Sequence, residues 1–175
     1  MEKVRIGVIG IGGRGTAHAK YFLADDIPHG EITAVCDTNP DRIQWARENM
    51  GENVRTFDNG DDLIQSGAVD AIIVATPHYD HPTFAIKGFE QGLHVLIEKP
   101  AGVYTKQVYD MNEAAKKSGK VFSLMFNQRT RAPHIKLKEL VESGELGEIQ
   151  RTNYIITSWF RSQSYYDRGG WRATW

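Results

Sequence analysis

The first 15 residues hold the feature that most restricts how this chain can fold. Val4–Ile9 is a short apolar run rich in β-branched residues, which predicts a buried parallel strand. Glycines follow at positions 10, 12 and 15, and a helix-like segment spans residues 16–24. Strand, glycine turn and helix in this order are typical of the first unit of a doubly wound α/β fold. In such folds the turn binds the pyrophosphate of a dinucleotide at the helix N-terminus.

The three glycines have separate roles in a loop of this kind. Gly10 permits the tight turn, Gly12 leaves the backbone open to the pyrophosphate, and Gly15 lets the helix pack close to the strand. Asp37 lies 22 residues after Gly15, at a predicted strand end where a ribose-binding carboxylate is expected. The combination predicts a dinucleotide site. The alternative is a tight turn that binds no ligand.

Composition limits the kinds of partner. The chain has 175 residues, 41% of them hydrophobic and 25% charged, with a net charge of −1 and no long basic block. This balance argues against nucleic acid or a membrane surface as the main partner. Cys36 is the single cysteine, so we expect a reducing compartment, the cytoplasm, and a small buried side chain rather than a nucleophile. The sequence also shows neither a signal-peptide pattern nor an apolar run of membrane-spanning length.

Predicted strands and helices alternate through the first 127 residues, and one further helix is predicted after them. Strands are predicted at 31–37, 54–57, 70–76, 94–98 and 121–126, and helices at 40–49, 61–66, 78–91, 105–118 and 133–143. This alternation predicts an α/β fold, a Rossmann-type doubly wound parallel sheet, over residues 1–127.

The character of the chain changes after residue 147. Residues 148–160 predict one long strand with no helix to follow it, and seven of the 18 aromatic residues lie between positions 154 and 175. We expect residues 128–175 to contain a connecting helix and the first strand of an incomplete second α/β domain.

Polar and charged residues follow several of the predicted strands. Ligands of an open parallel sheet bind at the carboxyl ends of its strands. The residues expected at those ends are Asp37, Thr76, Glu98, Lys99 and Asn127. They are far apart in sequence, yet this fold would bring them to one edge beside the glycine loop.

The charge of Asp37 favours NAD over NADP as the cofactor. A carboxylate accepts hydrogen bonds from the ribose hydroxyls and repels a 2′-phosphate. Two arginines complicate this prediction, one in the glycine loop and one in the second helix, Arg14 and Arg42. Arg14 is expected either over the pyrophosphate or as a solvated residue of the first helical turn.

Lys99 is the candidate catalytic residue. Oxidation of an alcohol needs a group that takes or shares the hydroxyl proton, and a lysine beside a cationic nicotinamide can do so. The alternative is a surface lysine at a strand end. Pro100 argues against that alternative because it restricts the preceding residue to extended geometry.

His78 and His81 lie three residues apart at the start of a predicted helix. We reject a metal site because the sequence offers too few further ligands. Contact of His81 with the nicotinamide ribose and a helix-capping role are both open.

Several motifs together resemble the Gfo/Idh/MocA oxidoreductase family. They are GIGGRG at 10–15, ATPHYDH at 75–81, EKP at 98–100, NQR at 127–129, SGELGEI at 143–149 and WRATW at 171–175. The resemblance implies an N-terminal NAD(P)-binding Rossmann domain and a C-terminal α/β domain with a large open sheet. It also implies sugar or polyol substrates and a homo-oligomer in the full-length form.

The resemblance carries over to individual residues. It implies that Lys99 contacts substrate and nicotinamide, that Thr76, His81 and Asn127 line the cofactor cleft, and that Trp171 and Arg172 belong to the substrate site. The predicted cofactor-binding residues are Gly10, Ile11, Gly12, Gly13, Arg14, Gly15, Asp37, Thr76, Pro77, His81, Glu98, Lys99 and Asn127.

The chain departs from the family after Trp175, where members continue with a glycine-rich turn and a catalytic histidine. We therefore expect a truncated product or fragment. The predicted function is an NAD(P)-dependent oxidoreductase that transfers hydride between nicotinamide and a hydroxyl-bearing sugar or polyol. The alternatives are an NAD-retaining glycoside hydrolase or lyase that uses transient oxidation, and a non-catalytic NAD-binding module.

Overall fold

The computed structural model of the chain describes residues 2–158 and 160–167. The strands are β1 (Val4–Ile9), β2 (Gly30–Cys36), β3 (Arg55–Phe57), β4 (Ala71–Val74), β5 (His94–Ile97) and β6 (Phe122–Leu124). The helices are α1 (Gly13–Leu23), α2 (Pro40–Asn49), α3 (Gly60–Gln65), α4 (His81–Glu90), α5 (Thr105–Ser118), α6 (Ala132–Glu142) and α7 (Gln163–Asp167). A 3-10 helix spans Asn127–Thr130.

The six strands form one parallel sheet in the order β3-β2-β1-β4-β5-β6. The predicted doubly wound Rossmann-type sheet is therefore confirmed. The order reverses direction between β1 and β4, and ligands of such sheets bind in the crevice outside this point. At this edge the backbone N–H of Gly10 donates to the carbonyl oxygen of Cys36, and that of Ala75 donates to the carbonyl oxygen of Ile9, both at 2.8 Å. The loops that follow β1, β2 and β4 therefore leave the sheet side by side.

Both faces of the sheet are covered, as expected of parallel strands. Val8 and Ile9 are adjacent in β1 and buried, and they belong to different core clusters because successive side chains point to opposite faces. The cluster around Val8 includes Ala19 of α1 and Ala46 of α2. The cluster around Ile9 includes residues of α3, α4 and α5, namely Leu63, Ile64, Ala85, Phe89, Met111 and Ala115.

The chain divides into two compact units, residues 1–126 and residues 127–175. The first unit contains the whole sheet. The described part of the second unit contains the 3-10 helix, α6 and α7, and none of the side chains of α6 is buried.

Two predictions about these elements were wrong. The long strand expected at 148–160 is not found among its described residues, 148–158 and 160. A strand requires a hydrogen-bonded neighbour, and no described strand pairs with this segment. The fourth helix starts at His81 rather than at 78, because Asp80 N–H closes a turn onto Pro77 O at 3.1 Å before the helix begins.

No helix within residues 2–158 and 160–167 combines the length and apolar character needed to cross a bilayer.

Candidate cofactor-binding site

The glycine loop between β1 and α1 has two glycines that its own backbone requires. Gly10 has φ +89°, and an added Cβ would lie 2.9 Å from Ala75 O. At Gly15 an added Cβ would overlap the carbonyl oxygen of Gly10. These two glycines are therefore explained by the turn and by close helix–strand packing, whether or not a ligand binds.

Gly12 is different, because the protein backbone does not exclude a side chain there. The nearest atom to an added Cβ is Nη1 of Arg42, the end of a flexible side chain, at 3.4 Å. Gly12 is also the N-cap of α1, and Thr16 steadies the loop by donating from its hydroxyl to Ile11 O at 2.8 Å. The first-turn amides of a helix have no intrahelical acceptor, so this open backbone suits an anion.

Asp37 follows β2 and turns its carboxylate towards the glycine loop. The residue is 6% exposed, and its Oδ2 accepts from Ile11 N–H at 3.0 Å and from Arg42 Nη1 at 3.1 Å. Its Oδ1 accepts from Asn39 N–H at 2.9 Å. A carboxylate has about four acceptor positions, and the three protein donors leave one of them open to a ribose hydroxyl. A second ribose hydroxyl can bind if it displaces the half-exposed side chain of Arg42.

Glu98 follows β5 and is the second buried carboxylate at this edge, at 6% exposed. Its Oε1 lies 2.8 Å from Nε2 of His18, and its Oε2 accepts from Lys99 N–H at 3.2 Å. Burial alone would raise the pKa of Glu98. The effect of burial is outweighed by the hydrogen bond and charge of His18, the charge of Arg14 and the backbone N–H of Lys99. The pKa of Glu98 is therefore below its usual value of 4.5.

His81 is completely buried and joins the loops that follow β4 and β5. Its Nε2 lies 2.9 Å from Thr76 O, and its Nδ1 lies 2.7 Å from Pro100 O. Both partners are acceptors, and neither ring nitrogen is open to a ligand. A neutral imidazole has one N–H, so His81 donates to one of these two carbonyls, and which one depends on the tautomer. The N-cap of the helix is Asp80, so His81 is not the capping residue. With a carbonyl oxygen against each ring nitrogen, a contact with a ribose would require one of these oxygens to move away.

The remaining predicted residues occupy varied positions. Lys99 is exposed beside Glu98, and Arg14 is exposed in the first turn of α1. The side chain of Ile11 is buried in the core, so only its backbone faces the loop. Asn127 is the exposed first residue of the second unit, and Trp171 and Arg172 lie outside the described residues. Gly13 has open space around it, and Pro77 is exposed.

His18 is a site residue that was not predicted from the sequence. Its signal is its spacing: His18 lies three residues after Gly15, so both share one face of α1, and Gly15 packs onto the strand. Cys36 was predicted as a small buried residue, and this is confirmed at 2% exposure. Burial first, and then the charge of Asp37, raise the pKa of its thiol to about 12, which argues against a nucleophile.

The arrangement fits a dinucleotide. The open backbone at Gly12 suits the pyrophosphate, and the buried carboxylates of Asp37 and Glu98 offer acceptors to sugar hydroxyls on either side of it. Fold and site together define a dinucleotide-binding Rossmann protein.

Comparison with known families agrees with this class. Residues 4–126 match the model of the Gfo/Idh/MocA family, described as an oxidoreductase family with an NAD-binding Rossmann fold. The chain belongs to this family, as its motifs predicted.

Individual relatives include more than one kind of enzyme. A D-glucoside 3-dehydrogenase of Escherichia coli is 32% identical, over 89% of this chain and 42% of that protein. A glycosyl hydrolase family 109 protein of Shewanella is 27% identical, over 100% of this chain and 40% of that protein. The chain thus spans about two fifths of the length of these curated relatives.

Among solved structures, the WlbA dehydrogenase of Bordetella pertussis is similar over almost the whole chain. It is 32% identical with a TM-score of 0.86, and the match covers 98% of this chain and 51% of that one. That enzyme was crystallised with NADH and UDP-GlcNAcA.

Proposed function

We propose that this chain binds NAD and forms the cofactor half of an oxidoreductase that acts on a hydroxyl of a sugar or polyol. The observation that carries the proposal is the pairing of an open glycine backbone at Gly12 with the buried carboxylate of Asp37, which joins the same loop through Ile11 N–H. This pairing offers a pyrophosphate and a ribose adjacent binding groups. The sugar or polyol class is supported by the names of relatives such as the D-glucoside 3-dehydrogenase.

NAD is proposed over NADP because of the charge at the end of β2. The carboxylate of Asp37 would lie beside the adenosine ribose and repel a 2′-phosphate. Arg42 reduces this repulsion in part, since its guanidinium lies 3.1 Å from Asp37 Oδ2. It is half exposed, so the buried carboxylate dominates the preference.

Lys99 is proposed to handle the substrate proton. When bound, NAD supplies the acceptor for the hydride that leaves the substrate carbon. In this role Nζ of Lys99 takes the hydroxyl proton as the hydride leaves the carbon, so the alcohol becomes a carbonyl. In the reverse direction the ammonium of Lys99 returns the proton. Lys99 is exposed, so its side chain is not blocked by the protein, and its backbone N–H donates to Oε2 of Glu98.

The proposal is tested first by binding. Calorimetric titration of the folded chain with NADH and NADPH should show binding of NADH and weaker binding of NADPH. A folded chain that binds neither cofactor would overturn the proposal. The same protein is then assayed with saturating NAD and a panel of sugars and polyols. We expect no appreciable turnover from these 175 residues, because they span about two fifths of the length of the curated relatives.

A second candidate function is favoured by the similarity to glycosyl hydrolase family 109 proteins over the full chain. Such an enzyme would keep NAD bound and oxidise its substrate only transiently. Absorbance at the nicotinamide band separates the two candidates in any active form, since only a net oxidoreductase accumulates reduced cofactor.

Further features are proposed from the sequence and the resemblance alone. The single cysteine supports the cytoplasm as the location. Residues 128–175 are proposed to begin the substrate and oligomerisation domain, with Trp171 and Arg172 in the substrate site.

A further inference from the structure

His18 and Glu98 form a contact that the proposed function does not use. They are 80 residues apart in sequence, on α1 and at the end of β5, and Nε2 of His18 lies 2.8 Å from Oε1 of Glu98. Both side chains are largely removed from solvent, with 15% and 7% of their surface exposed. A buried contact between an imidazole and a carboxylate is directional and loses little to solvent screening.

The contact determines how Glu98 presents its carboxylate. His18 engages one oxygen, while the other accepts from the backbone N–H of Lys99 at 3.2 Å. With a donor on each oxygen, the carboxylate cannot turn freely, yet each oxygen keeps a further acceptor position. Glu98 can therefore accept a hydrogen bond from a ligand hydroxyl while it also accepts from the backbone N–H of Lys99.

The place of this pair in the sheet decides which half of a dinucleotide it would serve. Asp37 follows β2, on one side of β1, whereas Glu98 follows β5, on the other side of the switch point. A sheet of this order binds the two mononucleotide halves on opposite sides of that point. If Asp37 serves the adenosine half, Glu98 and His18 belong to the nicotinamide half.

We propose that His18 is a positioning residue for the nicotinamide half of the site. It orients Glu98 so that the carboxylate accepts a hydrogen bond from a hydroxyl of the nicotinamide ribose and also holds the turn at Lys99. This inference rests on the proposed function. It predicts that His18 contributes to the affinity for the whole dinucleotide but not to the affinity for its adenosine half.

Two substitutions separate positioning from mere packing. The side-chain amide of His18→Gln can take the place of Nε2 and donate to Glu98. The amide of His18→Asn has similar polarity but ends too close to the helix to reach it. The probes are NADH and ADP, since ADP has the adenosine and diphosphate but lacks the nicotinamide riboside. Tyr21→Ala, a change at an exposed position of the same helix, is the control.

Calorimetry on the folded 175-residue chain should give a clear pattern. His18→Asn should weaken NADH binding about tenfold and leave the Kd for ADP within about twofold of wild type. His18→Gln should restore NADH binding to within about threefold of wild type. Tyr21→Ala should change neither affinity.

Other outcomes overturn the proposal in distinguishable ways. Unchanged NADH binding in His18→Asn, or no rescue by His18→Gln, shows that the contact with Glu98 does not position the ligand. Equal weakening of NADH and ADP shows that His18 only supports α1 and its loop. If the folded wild-type chain binds neither probe, the proposed function fails and this inference fails with it.

Discussion

The carboxylate of Asp37 accepts a hydrogen bond from the backbone N–H of Ile11 at 3.0 Å, which joins the end of β2 to the glycine loop after β1. The two residues are 26 positions apart. Asp37 therefore shapes the loop as well as offering an acceptor to a ribose. Substitution of Asp37 should affect both the loop and the choice of cofactor.

Asp37→Ala should weaken NADH binding about tenfold to a hundredfold, because it removes a charged acceptor and the anchor of the loop. NADPH binding should weaken less, since the repulsion of the 2′-phosphate is also removed, and the gap between the two cofactors should narrow. Calorimetry with both cofactors measures this. Asp41→Ala, at an exposed position of α2, is the control. Wild-type protein that binds NADPH as tightly as NADH would contradict the assignment.

Gly12→Val should abolish cofactor binding and leave the sheet folded. An added Cβ at Gly12 meets only the end of Arg42, but a valine would occupy the path of the pyrophosphate. Circular dichroism tests whether the sheet stays folded, and NADH titration tests whether cofactor binding is lost.

Gly15→Val should instead destabilise the fold, because its side chain would overlap the carbonyl oxygen of Gly10. Gly13→Ala is the tolerated control, since an added Cβ there meets no atom within 4 Å. Retained affinity in folded Gly12→Val would mean that the loop is only a turn.

His81→Phe should lower the free energy of unfolding by about 3 kcal/mol. The phenylalanine ring is of similar size and fills the space, but the carbonyl of Thr76 or Pro100 that accepts from the imidazole N–H loses its donor in the interior. Urea unfolding measures the loss, with the exposed His29→Phe as control. If His81 instead contacts the nicotinamide ribose, NADH affinity should fall while stability stays near wild type, which would refute the structural role.

Glu98→Gln should make the stability of the fold less dependent on pH in the acidic range. The folded pKa of Glu98 lies below its usual 4.5, so the ionised carboxylate stabilises the fold above that pH. The stabilisation is lost as the pH falls through the folded pKa. The difference in Tm between wild type and Glu98→Gln should be largest above pH 4.5, and it should shrink as the pH falls further below that value.

Glu52→Gln, an exposed substitution, is the matched control for this acid effect. A difference between wild type and Glu98→Gln that stays constant over the same pH range would show that the charge of Glu98 does not stabilise the fold.

Local sequence patterns were sufficient for most of the fold. Signals that act over a few residues can be read from the sequence. They include the apolar runs that form β1 and β4, Pro40 at the start of α2 and Gly119 after the last residue of α5. The glycine loop and Asp37 were predicted as neighbours because parallel strands end at one edge. The start of α4 was less predictable, since the turn before it depends on one hydrogen bond from Asp80.

The sequence by itself therefore determined the order of strands and helices, the glycine loop and the carboxylates at the strand ends, because each depends on local periodicity or on the rule for parallel sheets. Only the tertiary structure decided that His18 meets Glu98, that Arg42 lies against Asp37 and that His81 joins two loops. Side-chain partners across helices and loops depend on packing, which no local pattern encodes. The same reason explains the strand wrongly predicted at 148–160: β-branched and aromatic residues favour extended backbone, but a strand forms only where a second strand supplies its hydrogen bonds.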